Sequence, residues 1–396
     1  MALRAIHKPV ESARRAGAVA GSIGQVVLGL APWVPAPRPH DGAALRPDWL
    51  TRQLGEQVPG AAVDHIEVLD GTTGTTDRLR LALRWNETGR AASLPASVFV
   101  KSTSRSPKNR TMVGALWMAV NEVKFYGTAR AELGDVAPEA YVAHAGVGAR
   151  FLLVLEDLVA RGARPFGLGD DCDLAHARAM MRTLADVHAT FWESPRFATD
   201  LAWAAPVTRR PGMTLLAFQF RRVRRKMLES PERFGLPPAV RRLARVVNDH
   251  DDALYRRWER GSLTLLHGDS HLGNTYALPD GRAGLLDWQV VFRGPGVREV
   301  AYFLATSAPT HLRREHERAL LRVYIDTLRE NGVDAPSFDA AWDDYRFFVY
   351  DAWDSAAITV LWPGLQPSQT VARSFERATA AVVDLEVDKA VEHALR

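Results

Sequence analysis

Three polar side chains within 267–289 have the types and the spacing that phosphoryl transfer requires. Asp269 follows an apolar run that predicts a short buried strand, and Asn274 lies five positions further on. Asp287 ends a later apolar run, beyond a Pro-Asp-Gly turn signal at 279–281. Folding the two arms antiparallel about this turn places Asn274 nearly opposite Asp287, at the end of the hairpin where Asp269 also enters. The sequence therefore predicts that the three side chains converge.

These side chains divide into a metal-binding pair and a base. A carboxylate and an amide oxygen suit Mg²⁺, a hard cation that fills its remaining positions with water and phosphate oxygens. Asn274 and Asp287 are therefore the candidate metal ligands, and Asp269 is left to accept the proton of an attacking hydroxyl. Phosphoryl transfer depends mainly on positioning and charge compensation, so a base and two metal ligands are the minimum set for it.

The block resembles the aminoglycoside phosphotransferase superfamily, especially its choline-kinase and ecdysteroid-kinase-like branches. The family pattern is His-Gly-Asp-x-His-x-x-Asn followed by Asp-Phe/Trp-Gln or Asp-Trp-Glu, and this chain has it at 267–274 and 287–289. The resemblance implies an α/β (α+β), protein-kinase-like two-lobed fold. A small β-rich lobe is expected at 61–158 and a large, mainly helical lobe at 159–396, after an N-terminal extension at 1–60. It also implies ATP as the phosphoryl donor, Mg²⁺ as the metal and a small-molecule hydroxyl as the acceptor.

The predicted small lobe carries candidate nucleotide-binding residues. Gly71 and Gly74 lie between two strand patterns, where small residues would let backbone N–H groups approach phosphates, although an ordinary hairpin turn fits equally well. The β-branched run at 96–101 ends at Lys101, which is similar to the kinase lysine that holds the α- and β-phosphates. A solvated lysine is the alternative. The resemblance gives Lys101 an ion-pair partner, Glu122, on a helical Glu-x-x-Phe-Tyr segment.

Other roles rest on the resemblance alone. The apolar strand at 151–155 is similar to the last strand and hinge of the small lobe, which implies that adenine would bind backbone groups between Glu156 and Leu158. In the large lobe the resemblance implies that Glu299 braces the active-site loops. The helical segment at 338–361, with its acids and aromatics, would wall the acceptor pocket and hold a cationic or polyhydroxylated acceptor, or equally would turn its acids outward.

Composition excludes several other classes. The net charge of +4 comes from 50 basic and 46 acidic residues, so nucleic-acid binding is not implied, and the basic cluster at 221–226 is interpreted as a solvated helix face. One cysteine, Cys172, leaves no internal disulfide and favours a reducing cytoplasm. Apolar runs are too short for stable membrane insertion. A short docked helix is favoured over an export signal ahead of the extended proline-rich stretch at 31–40.

Three other functions compete with the small-molecule kinase. A metallophosphoesterase would use the Gly-Asp-x-His opening at 268–271, with alternating His267, Asp269 and His271 as metal ligands, but its further motifs are missing. A non-catalytic nucleotide-binding protein could share the fold. A protein kinase is disfavoured because Asp-Trp-Gln replaces Asp-Phe-Gly. Aminoglycoside, macrolide, amino sugar, choline-like alcohol and steroid acceptors stay open, as does the oligomeric state.

Overall fold

The chain divides into two compact units in the computed structural model, which describes residues 2–31, 39–361 and 368–396. The first unit comprises Met1–Ala131 and Ala137–Ala163, and the second comprises Glu132–Val136 and Arg164–Arg396. The first is rich in β-structure and the second is mainly helical, so the predicted α/β class is confirmed. The assignment of nucleotide and acceptor functions to 61–158 and 159–396 stays a prediction.

A five-stranded antiparallel sheet of order β1-β2-β3-β5-β4 forms the centre of the first unit. Its strands are β1 (Val63–Thr73), β2 (Asp77–Trp85), β3 (Ser97–Ser102), β4 (Ala140–Ala145) and β5 (Phe151–Glu156). Its helices are α1 (Ala2–Leu30), α2 (Pro47–Leu54), α3 (Glu87–Ala91), α4 (Pro107–Ala115) and α5 (Met118–Thr128). Alternate apolar residues of β2 and β3, such as Leu81, Val98 and Val100, are buried in one core cluster, as the period of two predicts.

The turn between β1 and β2 is shorter than the sequence predicts. Gly71 lies within β1, opposite Leu79, and only Gly74 belongs to the turn, where its N–H donates to the Thr76 carbonyl at 3.0 Å. A Cβ on Gly71 would lie 2.7 Å from a terminal methyl group of Leu79 and 3.2 Å from the Arg78 carbonyl oxygen, so a larger residue would have to displace the Leu79 side chain.

Helix α1 is longer than the short helix predicted and packs on the first unit. The backbones come into direct contact at Gly29 and Gly148, because a Cβ on Gly148 would lie 2.3 Å from the Gly29 nitrogen. Arg150, 6 % exposed, donates through Nη1 to the Leu28 carbonyl at 2.5 Å and through Nη2 to the Ala31 carbonyl at 2.6 Å. The guanidinium thus satisfies carbonyl groups that a helix C-terminus leaves unpaired. Most of the proline-rich stretch at 31–40 lies outside the described residues.

Replacing Arg150 with Ala is expected to release α1 from the first unit. The variant leaves two carbonyl groups without their donor, at a cost of about 1–3 kcal/mol. Hydrogen exchange over 16–31 should accelerate in Arg150→Ala and stay slow in Arg84→Ala, a control at an exposed position of β2. Equal protection in the two variants would show that packing at the glycine contact suffices to hold the helix.

The second unit consists of long helices and two small antiparallel sheets. Its helices are α6 (Leu174–Thr190), α7 (Met213–Glu229), α8 (Pro238–Arg257), α9 (Val297–Ser307), α10 (Thr310–Glu330), α11 (Phe338–Leu361), α12 (Ser368–Asp384) and α13 (Val387–Ala394). Its strands are β6 (Arg164–Pro165), β7 (Thr264–Leu266), β8 (Thr275–Ala277), β9 (Ala283–Leu285) and β10 (Phe292–Gly294), with pairing β6-β8-β9 and β10-β7. The predicted strand before Asp269 and the hairpin about 279–281 are both present. In the part of the chain that the structure describes, no helix is long and apolar enough to cross a membrane.

The basic cluster at 221–226 is not wholly a solvated face, and that interpretation was wrong at one position. Arg224 is fully buried, and its guanidinium pairs with Asp251 at 2.7 Å and with Asp354. Phe220, Arg224 and Met227 are the buried positions of this part of α7, at intervals of four and three residues. Arg224 therefore lies on the apolar face of the helix, where buried carboxylates compensate its charge.

Candidate active site

The first unit brings Lys101 and Glu122 together. Lys101 lies on β3, Glu122 lies on α5, and the Lys101 Nζ and Glu122 Oε2 atoms are 2.6 Å apart. The two side chains are 3 % and 1 % exposed. Burial excludes the solvated lysine that was the alternative interpretation, since an ammonium group in such a place needs a carboxylate beside it.

The segment proposed to bind adenine directly follows β5. The Glu156 N–H donates to the Glu139 carbonyl at 2.8 Å, and the Leu158 carbonyl accepts from the Ala163 N–H at 2.9 Å. Between them, the buried Asp157 carboxylate accepts from Arg80 and from the Ser97 hydroxyl. Burial has the largest single effect on the pKa of Asp157 and raises it, but these bonds together outweigh burial and lower the pKa. The segment is thus fixed to the sheet by a charged anchor.

In the second unit, the loop after β7 turns sharply at Gly268. Its φ is +88°, and a Cβ there would lie 2.3 Å from the Val290 carbonyl oxygen, so only glycine fits. His267 is buried, and its Nδ1 accepts from the Asp269 N–H at 3.2 Å while Nε2 donates to the Leu286 carbonyl at 2.9 Å. Burial lowers the pKa of His267, so the imidazole is neutral and its tautomer is set by these two bonds. His267 thereby connects the Asp269 loop to the end of the hairpin.

Asp269 is oriented through one carboxylate oxygen and is accessible at the other. Its Oδ1 accepts from the Tyr302 hydroxyl at 2.7 Å, while among the described residues the polar neighbours of Oδ2 are the Asn274 amide at 3.4 Å and the His271 ring at 3.7 Å. The side chain is 28 % exposed. Burial, and then the charge of Asp269, raise the pKa of Tyr302 well above its usual value, so the hydroxyl stays protonated and donates. Oδ2 can therefore take a proton from an acceptor hydroxyl.

Asn274 and Asp287 offer the oxygen donors that a hard cation takes. The Asn274 Nδ2 group donates to the Asp269 carbonyl at 2.8 Å, which assigns the other amide atom, Oδ1, to the role of acceptor. In the hairpin the Leu286 N–H donates to the Asn274 carbonyl, so Asp287 follows one residue beyond the position opposite Asn274. Asp287 has a left-handed backbone, with φ 68° and ψ 56°. Such strain is often kept at functional sites, and the donor types fit Mg²⁺.

Two adjacent residues of opposite charge on α9, Arg298 and Glu299, bind the backbone of this loop. Glu299, fully buried, accepts from the His267 N–H at 2.9 Å and from the Gly268 N–H at 2.8 Å, which confirms the bracing role expected of it. Arg298 donates to the Gly268 carbonyl at 2.9 Å and to Asp351 on α11 at 2.8 Å. Although burial acts against it, the partners of Glu299, His188 first, bring its pKa down to about 2. The loop is thus held by ionised groups.

Sequence reasoning missed Tyr302 and Arg298 as parts of the site. Tyr302 lies in an apolar stretch of α9, where a tyrosine indicates a core position, and its partner Asp269 is 33 residues away in the sequence. The available signal is helical spacing: Tyr302 is three positions after Glu299 and therefore lies on the same face of the helix. Because Glu299 is expected to brace the loop, its neighbour on the same helix face, Tyr302, could have been predicted to contact the loop as well.

The metallophosphoesterase alternative fails on the same geometry. Asp269 and His271 lie in a loop beyond the end of β7, not on one strand face with His267. Both ring nitrogens of His267 already have backbone partners, so neither is available to a metal. Among the described residues there is no group of three or more His, Cys, Asp or Glu side chains arranged to hold a metal ion.

A β-rich unit with a buried lysine–glutamate pair, followed in the chain by a helical unit with this loop and hairpin, is the organisation of kinase-like phosphotransferases. The protein is an enzyme of that class, acting on hydroxyl groups of small molecules. The model of the ecdysteroid kinase-like family matches residues 73–333. The chain belongs to the ecdysteroid kinase-like family, which confirms the predicted resemblance to that branch.

Three solved structures are similar to the chain over most of its length. Ethanolamine kinase from Plasmodium vivax is 10 % identical, with 81 % of this chain and 82 % of that chain covered and a TM-score of 0.48. Choline kinase from Streptococcus pneumoniae is 13 % identical, with 85 % and 98 % covered and a TM-score of 0.45. Macrolide 2'-phosphotransferase from Brachybacterium faecium is 14 % identical, with 84 % and 97 % covered and a TM-score of 0.44. None of the curated proteins compared with the chain matches it, and the family assignment rests on the family model.

Proposed function

We propose that the protein transfers the γ-phosphoryl group of ATP to a hydroxyl of a small-molecule acceptor, with Asp269 as the general base. The observation that supports this most directly is the asymmetric setting of the Asp269 carboxylate. Tyr302 fixes Oδ1, and Oδ2 is left accessible on a loop that Glu299 and Arg298 hold rigidly. A base that must meet its substrate in one orientation needs this arrangement.

The proposed roles in metal binding and in phosphate binding rest on polar groups that each unit contains separately. Asn274 and Asp287 would hold Mg²⁺, which supplies charge neutralisation for the phosphates when bound. In the first unit, Glu122 would orient Lys101 toward the α- and β-phosphates, with Gly74 in the turn that covers them and the Glu156–Leu158 segment beside adenine. Gly71 lies within β1, ahead of this turn, and its approach to phosphate stays a prediction.

Thermal unfolding with and without Mg·ATP tests the nucleotide and metal site. At a hundred times its Kd a ligand stabilises the fold by about 2.7 kcal/mol, which corresponds to a few degrees in Tm. We expect this Mg-dependent shift in the wild type and its loss in Asp287→Asn. Asparagine is the matched replacement because it tolerates a left-handed backbone while removing the charge.

The control is Asp280→Asn, at an exposed position in the turn of the same hairpin. It should keep the full Mg-dependent shift. A shift of wild-type size in Asp287→Asn would remove Asp287 from the metal site. The absence of any shift in the wild type would contradict the kinase proposal.

A further inference from the structure

A cationic side chain that has no carboxylate partner in the described part of the chain lies close to Asp269. Arg210 is in the loop before α7, and its guanidinium lies over the ring of Phe292 on β10, with the Arg210 Cζ atom 5.3 Å from the ring centroid. Arg298, which braces the Asp269 loop, contacts the same ring at 5.6 Å and the Tyr302 ring at 4.4 Å. The Phe292 ring thus lies against both Arg210 and Arg298, the residue that braces the loop of the proposed base.

The fully buried charged side chains around this place are compensated by partners. Arg298 pairs with Asp351, Arg224 pairs with Asp251 and Asp354, and Glu299 accepts two backbone N–H groups and contacts His188. Arg210 is partly buried, yet its guanidinium forms no hydrogen bond or ion pair with any residue that the structure describes. A partly desolvated cation without a partner costs free energy, which a bound anion would recover.

The electrostatic surroundings agree with this geometry. Burial and the charge of Arg298 lower the pKa of Arg210 to about 10, and the charges of Asp269 and Asp351 act in the opposite direction. The guanidinium therefore remains protonated at neutral pH. The charge of Asp269 affects the pKa of Arg210, but the two side chains do not form an ion pair.

Three of the α11 acids that could hold a cationic acceptor already have cationic partners within the protein. Asp351 and Asp354 are buried and already paired with Arg298 and Arg224, and Asp344 contacts Arg257 at 3.2 Å. A positively charged acceptor would therefore find no uncompensated carboxylate among these three acids, whereas Arg210 has no ion-pair partner among the described residues. The charge balance at this place therefore favours an acceptor of the opposite sign.

We propose that Arg210 binds an oxyanion carried by the phosphate acceptor, so that the substrate is an alcohol bearing a carboxylate, sulfate or phosphate group and not a cationic amine. The inference rests on the proposed function of Asp269. A guanidinium can hold such a group through two parallel hydrogen bonds, which fixes orientation as well as position. Arg210 thus presents the acceptor hydroxyl to Asp269 Oδ2, and it is a positioning and specificity residue.

Sulfate binding tests the site without knowledge of the acceptor. Sulfate affinity, measured from thermal unfolding at constant ionic strength, should weaken about tenfold or more in Arg210→Gln. Arg210→Lys keeps the charge but loses the bidentate geometry, so its sulfate affinity should lie between those of the wild type and Arg210→Gln. Arg209→Gln, at the exposed neighbouring position, should match the wild type. Equal sulfate affinity in the wild type and Arg210→Gln would overturn the proposal.

The transferred phosphoryl group is the other oxyanion that Arg210 could meet, and nucleotides separate the two sources. With Mg·ADP or a non-hydrolysable Mg·ATP analogue present, the sulfate binding that depends on Arg210 should persist in both cases. Loss with the ATP analogue alone would assign Arg210 to the γ-phosphoryl group and overturn the acceptor role. Failure of the proposed kinase function would instead appear as the absence of Mg·ATP stabilisation in the wild type, whatever sulfate does.

Discussion

Replacing Asp269 with Asn is expected to lower kcat by a factor of about 10² to 10⁴, the usual contribution of a positioned general base. The substitution keeps the size of the side chain and the contact with the Tyr302 hydroxyl, but it removes the oxygen that accepts the hydroxyl proton. Nucleotide binding should survive, because Asn274 and Asp287 are the proposed metal ligands. ADP release with hydroxylated small molecules measures the loss of turnover, and the Mg·ATP shift in Tm measures the retained binding.

The contrast with Asp287→Asn makes this result interpretable. One variant should bind Mg·ATP and fail in turnover, and the other should fail in binding, although each removes a single charge from the same loop and hairpin. Tyr302→Phe should lower kcat less than Asp269→Asn does, because it frees Oδ1 without removing the base. Turnover of Asp269→Asn at the wild-type rate would show that another group takes the proton.

Replacing Glu299 with Gln is expected to destabilise the fold by about 3–5 kcal/mol, the range found when one member of a buried charged network is removed. Glutamine offers one acceptor oxygen in place of two, so an amide group would face either the His267 or the Gly268 N–H. Urea unfolding of the two proteins measures the difference. Glu315→Gln, at a position whose side chain is 71 % exposed, is the matched control and should change stability little.

The same carboxylate makes part of the stability depend on pH. A glutamate ordinarily has a pKa of about 4.5, and the partners of Glu299 bring it to about 2 in the folded protein. A depressed pKa means that the stabilisation is complete above about pH 4.5 and is lost as the pH falls from there toward 2. The unfolding free energies of the wild type and Glu299→Gln should therefore converge in acid. A gap that stayed constant from pH 7 to pH 3 would show that the charge of Glu299 does not produce the effect.

Local patterns were sufficient for most secondary-structure elements and for the main polar residues of the site. The strand before Asp269, the hairpin about 279–281 and the Lys101–Glu122 pair each follow from short-range spacing or from the resemblance. These features depend on residues close in sequence, or on one motif with a known role. The sequence therefore carries them explicitly.

What escaped prediction depends on partners distant in the sequence. The Arg224 guanidinium meets Asp251 and Asp354 at separations of 27 and 130 residues, so the basic cluster gave no sign that one arginine points inward. Gly71 is predicted to lie in the turn because its type fits one, whereas the strand pairing places it within β1, opposite Leu79. Composition near a position indicates what a residue can do, and only the tertiary contacts decide which of its properties the fold uses.

The contact between Arg150 and α1 also affects how the protein is made. Arg150 is synthesised 122 residues after Leu28 and 119 after Ala31, the two residues whose carbonyls it binds. At about 5–20 residues per second, the ribosome takes roughly 6–24 s to cover that interval. During this time the carbonyl groups at the end of α1 lack their donor, although α4, which also packs on α1, is made earlier. The Ile23 and Val27 side chains of α1 remain 55 % and 57 % exposed even in the folded protein. We therefore expect nascent chains to need chaperones, or to pass through aggregation-prone intermediates, during this interval. Refolding of the complete chain from denaturant avoids the delay, because Arg150 is present from the start.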